Sequence, residues 1–179
     1  GVPVAALQEV IERLHLLEAV SIEARPASHH SLRGVQVTVR TAESHHHRHL
    51  ADVEAILDAA DLEPEVREGA RAVFRRLGEA EARAHGVPIS EVHFHEVGAL
   101  DAIADIVASV AGVRLLGVER VVCSPLPLAH GLGRGAHGAL PVPAPGTLAL
   151  LEGFPVRGID IEGETLTPTG AALLTTLAT

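Results

Sequence analysis

Apolar residues recur every three to four positions after Pro3, at Leu7, Val10, Ile11 and Leu14, which predicts a helix near 3–17 with proline at its first position. The period then drops to two. Val20-Ser21-Ile22-Glu23-Ala24 and Val35-Gln36-Val37-Thr38-Val39 alternate like strands, and the polar connection 26–32 with Gly34 predicts an antiparallel pair. Helical spacing returns near 50–60 and over 64–85. The second of these starts at Pro64, turns Val66, Ala70, Val73, Leu77 and Ala84 inward, and stops at Gly86 with Pro88 beyond. Residues 92–95 read as a short strand, 99–116 as a helix and 120–123 as a β-branched strand. The stretch 125–146, rich in Gly and Pro, reads as one long loop, and loops of that length in compact domains are functional or disordered. A helix near 145–152 ending at Gly153, strands around 155–161 and a last helix opened by Thr167-Pro168-Thr169-Gly170 complete the order. The pattern predicts an α+β or mixed α/β fold: a small sheet, several packed helices and a long Gly/Pro-rich loop.

Composition narrows the class. The 179 residues suffice for one domain with a real core. Only three Phe and no Trp, Tyr or Met are present, so that core is built of Ala, Val and Leu layers whose backbones approach closely. A formal charge of −9 argues against nucleic-acid binding, which needs a basic stripe, and suits a protein that attracts cations. The one cysteine, Cys123, excludes an internal disulfide and a cysteine-based zinc site, which points to a cytoplasmic setting. No run approaches the ~18 apolar residues of a membrane span, and no signal peptide is visible. The chain opens at Gly1 without Met and reads as a fragment or a processed piece.

The chemistry concentrates in Val92-His93-Phe94-His95-Glu96-Val97-Gly98-Ala99-Leu100-Asp101-Ala102-Ile103-Ala104-Asp105. Imidazoles and carboxylates are the usual ligands of borderline divalent metals. On a strand, His93 and His95 project to one side while Phe94 points into the core. Glu96 supplies an oxygen ligand or orients an imidazole. On a helix, Asp101 and Asp105 share a face one turn apart, opposite Ile103, Ile106, Val107 and Val110, with Ala104 and Ala108 leaving a shallow surface beside the acids. The plainer alternatives are a half-buried strand with hydrogen-bonded rings and a solvated acidic helix face.

A second cluster, His45-His46-His47-Arg48-His49, falls between a strand and a helix and suits nickel, zinc or copper, or is simply a solvated loop. His85 ends a helix, where it caps the dipole. The stretch from His130 to Gly138, with Arg134 and His137, is a ligand loop or a floppy connection. Thr167-Pro168-Thr169-Gly170 offers the free amides of a capped helix, an anion site by construction but one shared by any such helix.

Taken together, HHHRHL (45–50), AEARAHG (80–86), VHFHEVGALDAIADI (92–106), HGALPVPAPGTLALLEG (137–153) and TPTGAA (167–172) resemble the LarC family of nickel-insertion proteins. The resemblance implies a part in making the nickel-pincer nucleotide cofactor, by inserting Ni2+ into pyridinium-3,5-bisthiocarboxylic acid mononucleotide. In the full-length family that reaction consumes CTP with a divalent cation and forms nickel–carbon and nickel–sulfur bonds, a cyclometallase of the lyase class. It implies nickel gathering by His45, His46, His47 and His49, and a metal or reaction centre at His93, His95, Glu96, Asp101 and Asp105. His137 and Gly138 match the HG before the proline-rich PVPAP, and Thr169 and Gly170 would meet a substrate phosphate. It further implies that 1–179 is an N-terminal domain, with a candidate subdivision near 87–91. The family's opening strand and DCFSGISGDM-like turn, and its C-terminal CTP-binding portion, would then lie outside this chain. The CTP-binding portion becomes a partner, homo-oligomers are a candidate assembly, and full turnover by this chain alone is not expected. Two other readings stand beside this one: a non-catalytic nickel storage or delivery module, and a metal-dependent hydrolase using His93, His95 and an acid.

Overall fold

The computed structural model describes residues 1–16, 18–41, 48–94, 99–135 and 138–179, and of Arg134 and Gly135 the backbone alone. Helix α1 (Val4–Glu12) runs into the hairpin of β1 (Val20–His29) and β2 (Leu32–Thr41). β3 (Arg48–His49) leads directly into α2 (Leu50–Ala59), followed by α3 (Pro64–His85), a 3-10 turn at Ile89–Glu91, β4 (His93–Phe94) and α4 (Leu100–Leu115). The last part holds β5 (Leu126–His130), β6 (Leu132–Gly135), β7 (Gly138–Pro141), α5 (Pro145–Leu150), β8 (Val156–Glu162) and α6 (Pro168–Leu177). The mixed α/β character holds, but the described strands form four separate two-stranded pairs rather than one small sheet.

α3 is the organising element. Pro64 occupies its first turn, where a missing N–H costs nothing, and Gly86 ends it in the left-handed conformation at φ 67°. Its apolar stripe, Val66, Ala70, Val73, Phe74, Leu77 and Ala80, is buried against α2, α4, α5 and α6. Ala84, expected inward, is exposed, and the buried stripe of α3 ends at Ala80. The small residues allow close approach: a Cβ added at Gly69 would lie 2.8 Å from Val110 Cγ1 of α4. One core cluster extends from Ile11 to Ala172 and draws on residues either side of 87–91. Among the described residues, no helix is long and apolar enough to cross a membrane.

Several expectations need correction. The hairpin is longer than its alternation suggested, because 26–29 is strand and only His30 and Ser31 turn, both at positive φ (46° and 68°) in a turn that matches strand twist. Residues 120–123 make no strand but a single parallel bridge, Val121 with Ala178, since no longer edge lies alongside. The loop expected over 125–146 is largely ordered. β5 pairs parallel with β8, and β6 pairs antiparallel with β7, so both Gly and Pro sit on edge strands where a missing donor is harmless. Ala104, expected to border a shallow surface, is fully buried with Ile103, Ile106 and Val107, because α4 is enclosed over most of its circumference.

Candidate functional site

β3 and β4 are each two residues long, yet they determine the site. Their antiparallel register sets His49 opposite His93 and Arg48 opposite Phe94. Phe94 is buried and meets Phe74 of α3 with ring centroids 6.4 Å apart, which seats β4 on the core. Alternation then turns His93 outward, as the sequence predicts. The half-buried His49 ring lies 4.0 Å, centroid to centroid, from that of exposed His93, tilted by 47°.

The His49 ring is held from behind. Its Nδ1 lies 3.0 Å from the Val92 carbonyl oxygen, which can only accept, so Nδ1 carries the proton and Nε2 keeps the lone pair in the neutral ring. A carbonyl holding the far nitrogen of an imidazole is the support that fixes the tautomer of metal-binding histidines. His49 also caps α2: its backbone N–H donates to Asp52 Oδ2 at 2.7 Å, the acid three residues on that satisfies a helix entry.

Asp101 and Asp105 do share an exposed face of α4. Asp101 Oδ1 accepts from the Ala102 backbone N–H at 2.8 Å. Partial burial, and secondarily the charge of Asp101, push the Asp105 carboxyl above the ordinary carboxylate range. A raised carboxyl binds its proton more tightly folded than unfolded. The folded state is therefore favoured at pH below the unfolded value and loses that advantage as pH rises through the folded one. Asp105→Asn is expected to leave the melting temperature unchanged below the ordinary carboxylate range and to raise it slightly at pH 7. Because the group is exposed, the gain should stay below about 1 kcal/mol. Thermal melts of both proteins from acid to neutral pH check this, and a variant less stable at pH 7 contradicts it.

The remaining predicted residues divide in two. His45, His46, His47, His95, Glu96 and His137 lie outside the described residues. Gly138 opens β7 at φ 87°, where a side chain would be strained. Thr169 and Gly170 lie in the first turn of α6, but the Gly170 amide already donates to Thr167 Oγ1 at 3.1 Å. Pro168 has no N–H, so the first-turn amide left for an anion is that of Thr169. His85 lies 3.3 Å from Glu81 one turn back along α3, an ion-pair geometry rather than a cap.

Among the described residues, no group of three or more His, Cys, Asp or Glu could hold a metal ion. What the described residues offer is a pair of imidazoles, one from each of the two histidine-rich segments. Sequence reading separated those segments. It also missed Val92 as a partner of His49, since nothing local indicates that a carbonyl 43 residues away will meet it, and Asp52, which its place three residues after His49 could have signalled.

Comparison with known proteins matches residues 1–179 to the family model described as nickel insertion protein. A relative from Desulfitobacterium hafniense, named pyridinium-3,5-bisthiocarboxylic acid mononucleotide nickel insertion protein, is 52% identical over 144 residues, covering 80% of this chain and 36% of the relative. Two named putative nickel insertion protein, from Syntrophotalea carbinolica and Geotalea daltonii, are each 44% identical and cover 97% and 100% of this chain but 44% and 46% of their own lengths. The chain thus spans less than half the length of these curated relatives. No solved structure matches it. The family model covers the chain from end to end and the motif resemblance agrees with it: the chain belongs to the nickel insertion protein family.

Proposed function

We propose that this chain forms the nickel-receiving part of an enzyme that inserts Ni2+ into pyridinium-3,5-bisthiocarboxylic acid mononucleotide. One observation carries the reading: His49 and His93, from segments far apart in sequence, present their rings 4.0 Å apart on the β3–β4 pair, with His49 held in the tautomer that leaves Nε2 to a metal. Neutral imidazole is a good ligand for Ni2+, and His95 and Glu96 follow His93 directly in the chain. Nickel here is cargo, delivered to the substrate rather than retained. His45, His46 and His47 precede the pair and gather the ion.

In this reading the nickel–carbon bond forms as a ring carbon of the substrate loses its proton, and an acid of this chain accepts that proton. Asp105 is the favoured acceptor, because burial raises its carboxyl above the ordinary range and so makes it a stronger base. The single phosphate of the substrate would meet the Thr169 amide at the start of α6, with Gly138 at the start of β7 and His137, its neighbour in sequence, contributing. CTP consumption, its accompanying divalent cation and assignment to the lyase class belong to the longer protein. The storage and hydrolase readings have no observation of their own in their favour.

Titration calorimetry with Ni2+ tests the assignment. Loss of a direct imidazole ligand should weaken binding at least as much as loss of an outer partner does, about 10–100-fold. His49→Ala and His93→Ala should each show that loss, while His45→Ala/His46→Ala/His47→Ala should lower the number of weakly bound ions and spare the tight one. A His49→Ala/His93→Ala double variant that binds nickel like the parent sinks the proposal.

A further inference from the structure

The two outer edges of the β1–β2 hairpin are treated unequally. The pair closing its two-residue turn, His29 with Leu32, exchanges hydrogen bonds, so odd-numbered residues of β1 bond inward and even-numbered ones face outward. On β1 some of those outward groups are guarded. Gln8 of α1 lies along the edge like a short strand: its Oε1 accepts from Ile22 N at 2.8 Å and its Nε2 donates to Val20 O at 3.1 Å. Farther out the outward residue is Pro26, which has no N–H to offer.

On β2 the outward residues are Arg33, Val35, Val37, Val39 and Thr41, with no proline among them. No described residue hydrogen-bonds the backbone of Arg33, Val35 or Val37 on that side. The side chains of Val35 and Val37 are 69% and 55% exposed. Sheets blunt the edges they keep unpaired, since a bare edge is a template for another strand. Among the described residues, Gln8 and Pro26 blunt the β1 edge, and nothing comparable blunts the β2 edge at Arg33, Val35 and Val37.

We propose that the open edge of β2 pairs antiparallel with the same edge of a second copy, about a two-fold axis at Gln36, to give a four-stranded sheet. A two-fold axis at Gln36 makes the contact isologous, the same patch Val35-Gln36-Val37 on both copies. Val35 then faces Val37 of the partner subunit, and Gln36 faces its own symmetry mate, its Oε1 held by Arg25 Nε at 3.1 Å and Nη2 at 2.8 Å and its NH2 left to donate. Charge selects this occupant and this direction. The hairpin carries Arg25, Arg33 and Arg40 against Glu23 in a chain of formal charge −9, so the acidic excess lies outside it. Antiparallel pairing turns each Arg33 end toward the acidic body of the other copy, whereas parallel pairing would stack Arg33 on its mate.

Sedimentation velocity on the whole chain from about 1 to about 100 μM, the range in which a modest interface dissociates, tests this. The parent should move from monomer to dimer across that range. Val35→Lys/Val37→Lys places like charges opposite each other and should raise the dissociation constant at least about tenfold, while Val35→Glu/Val37→Lys places opposite charges there and should restore the dimer. Both variants alter exposed positions, and circular dichroism verifies that the hairpin persists. A parent that stays monomeric throughout overturns the proposal, as does a double-lysine variant that dimerises like the parent. A glutamate–lysine variant as monomeric as the double-lysine one overturns it equally.

Discussion

Replacing Phe94 with alanine is expected to cost about 3–5 kcal/mol of stability, the range for deleting a buried phenyl ring where the surroundings cannot collapse. Phe94 is 1% exposed, and one side of its pocket is Phe74, itself fully buried on α3. With only three Phe in the chain, small aliphatic side chains nearby cannot fill the space. For a chain of this size the loss corresponds to a fall in Tm of about 10 °C. Phe74→Ala should cost a similar amount. Because the rings touch, the double variant should lose less than the sum of the two, by roughly 0.5–3 kcal/mol. The two single variants separate in function. Phe94 is the buried half of a two-residue strand whose other half is His93, so its loss should weaken nickel binding even among folded molecules. Phe74→Ala, matched in stability, should weaken it less. Urea unfolding combined with nickel titration reads both effects, and equal nickel losses in the two variants would mean that β4 does not position His93.

How much of this was legible in the sequence differs by element, for physical reasons. Helices α2, α3 and α4 were readable to within a residue or so, since their apolar period, Pro64 and Gly86 are all local signals. The ordered part of 125–146 was not. β5 gains its partner, β8, from about 30 residues downstream, and its Pro127 and the glycines of β6 and β7 carry the chemistry of loops. Pro26 similarly disguised the outer half of β1, because a proline facing an open edge removes no ladder bond. In the site, alternation was enough to send Phe94 inward and His93 outward, and helical spacing put Asp101 and Asp105 on one face. The meeting of His49 with His93 was hidden: it depends on a two-residue pairing between segments that each look complete alone. In the proposed function, that meeting joins a residue of the segment expected only to supply metal, 45–49, to one of the segment expected to do the chemistry, 93–105.

Arg67 is expected to matter about as much as a buried aromatic, although it is only half-buried. Its Nε donates to Leu57 O at 3.1 Å, and its Nη2 to Ala60 O at 3.0 Å and to Leu62 O at 3.1 Å. These carbonyls belong to the C-terminal turn of α2 and the connection to α3, where the last helical carbonyls have no intrahelical donor. One guanidinium thus closes the α2–α3 corner. Arg67→Met keeps most of the stem's packing but strands three acceptors, and should cost about 2–4 kcal/mol, allowing for partial rescue by water. Arg67→Lys has one ammonium in place of a planar fork and should recover less than half of that. The three acceptors are uncharged carbonyls, so the loss should be nearly insensitive to salt. An exposed ion pair such as Arg75 with Glu54 should instead fade as salt is added. Denaturation of the Met and Lys variants at low and high salt distinguishes the two cases. A loss that disappears in salt would show that Arg67 acts through its charge rather than by closing the corner that carries α2, and with it His49, into place.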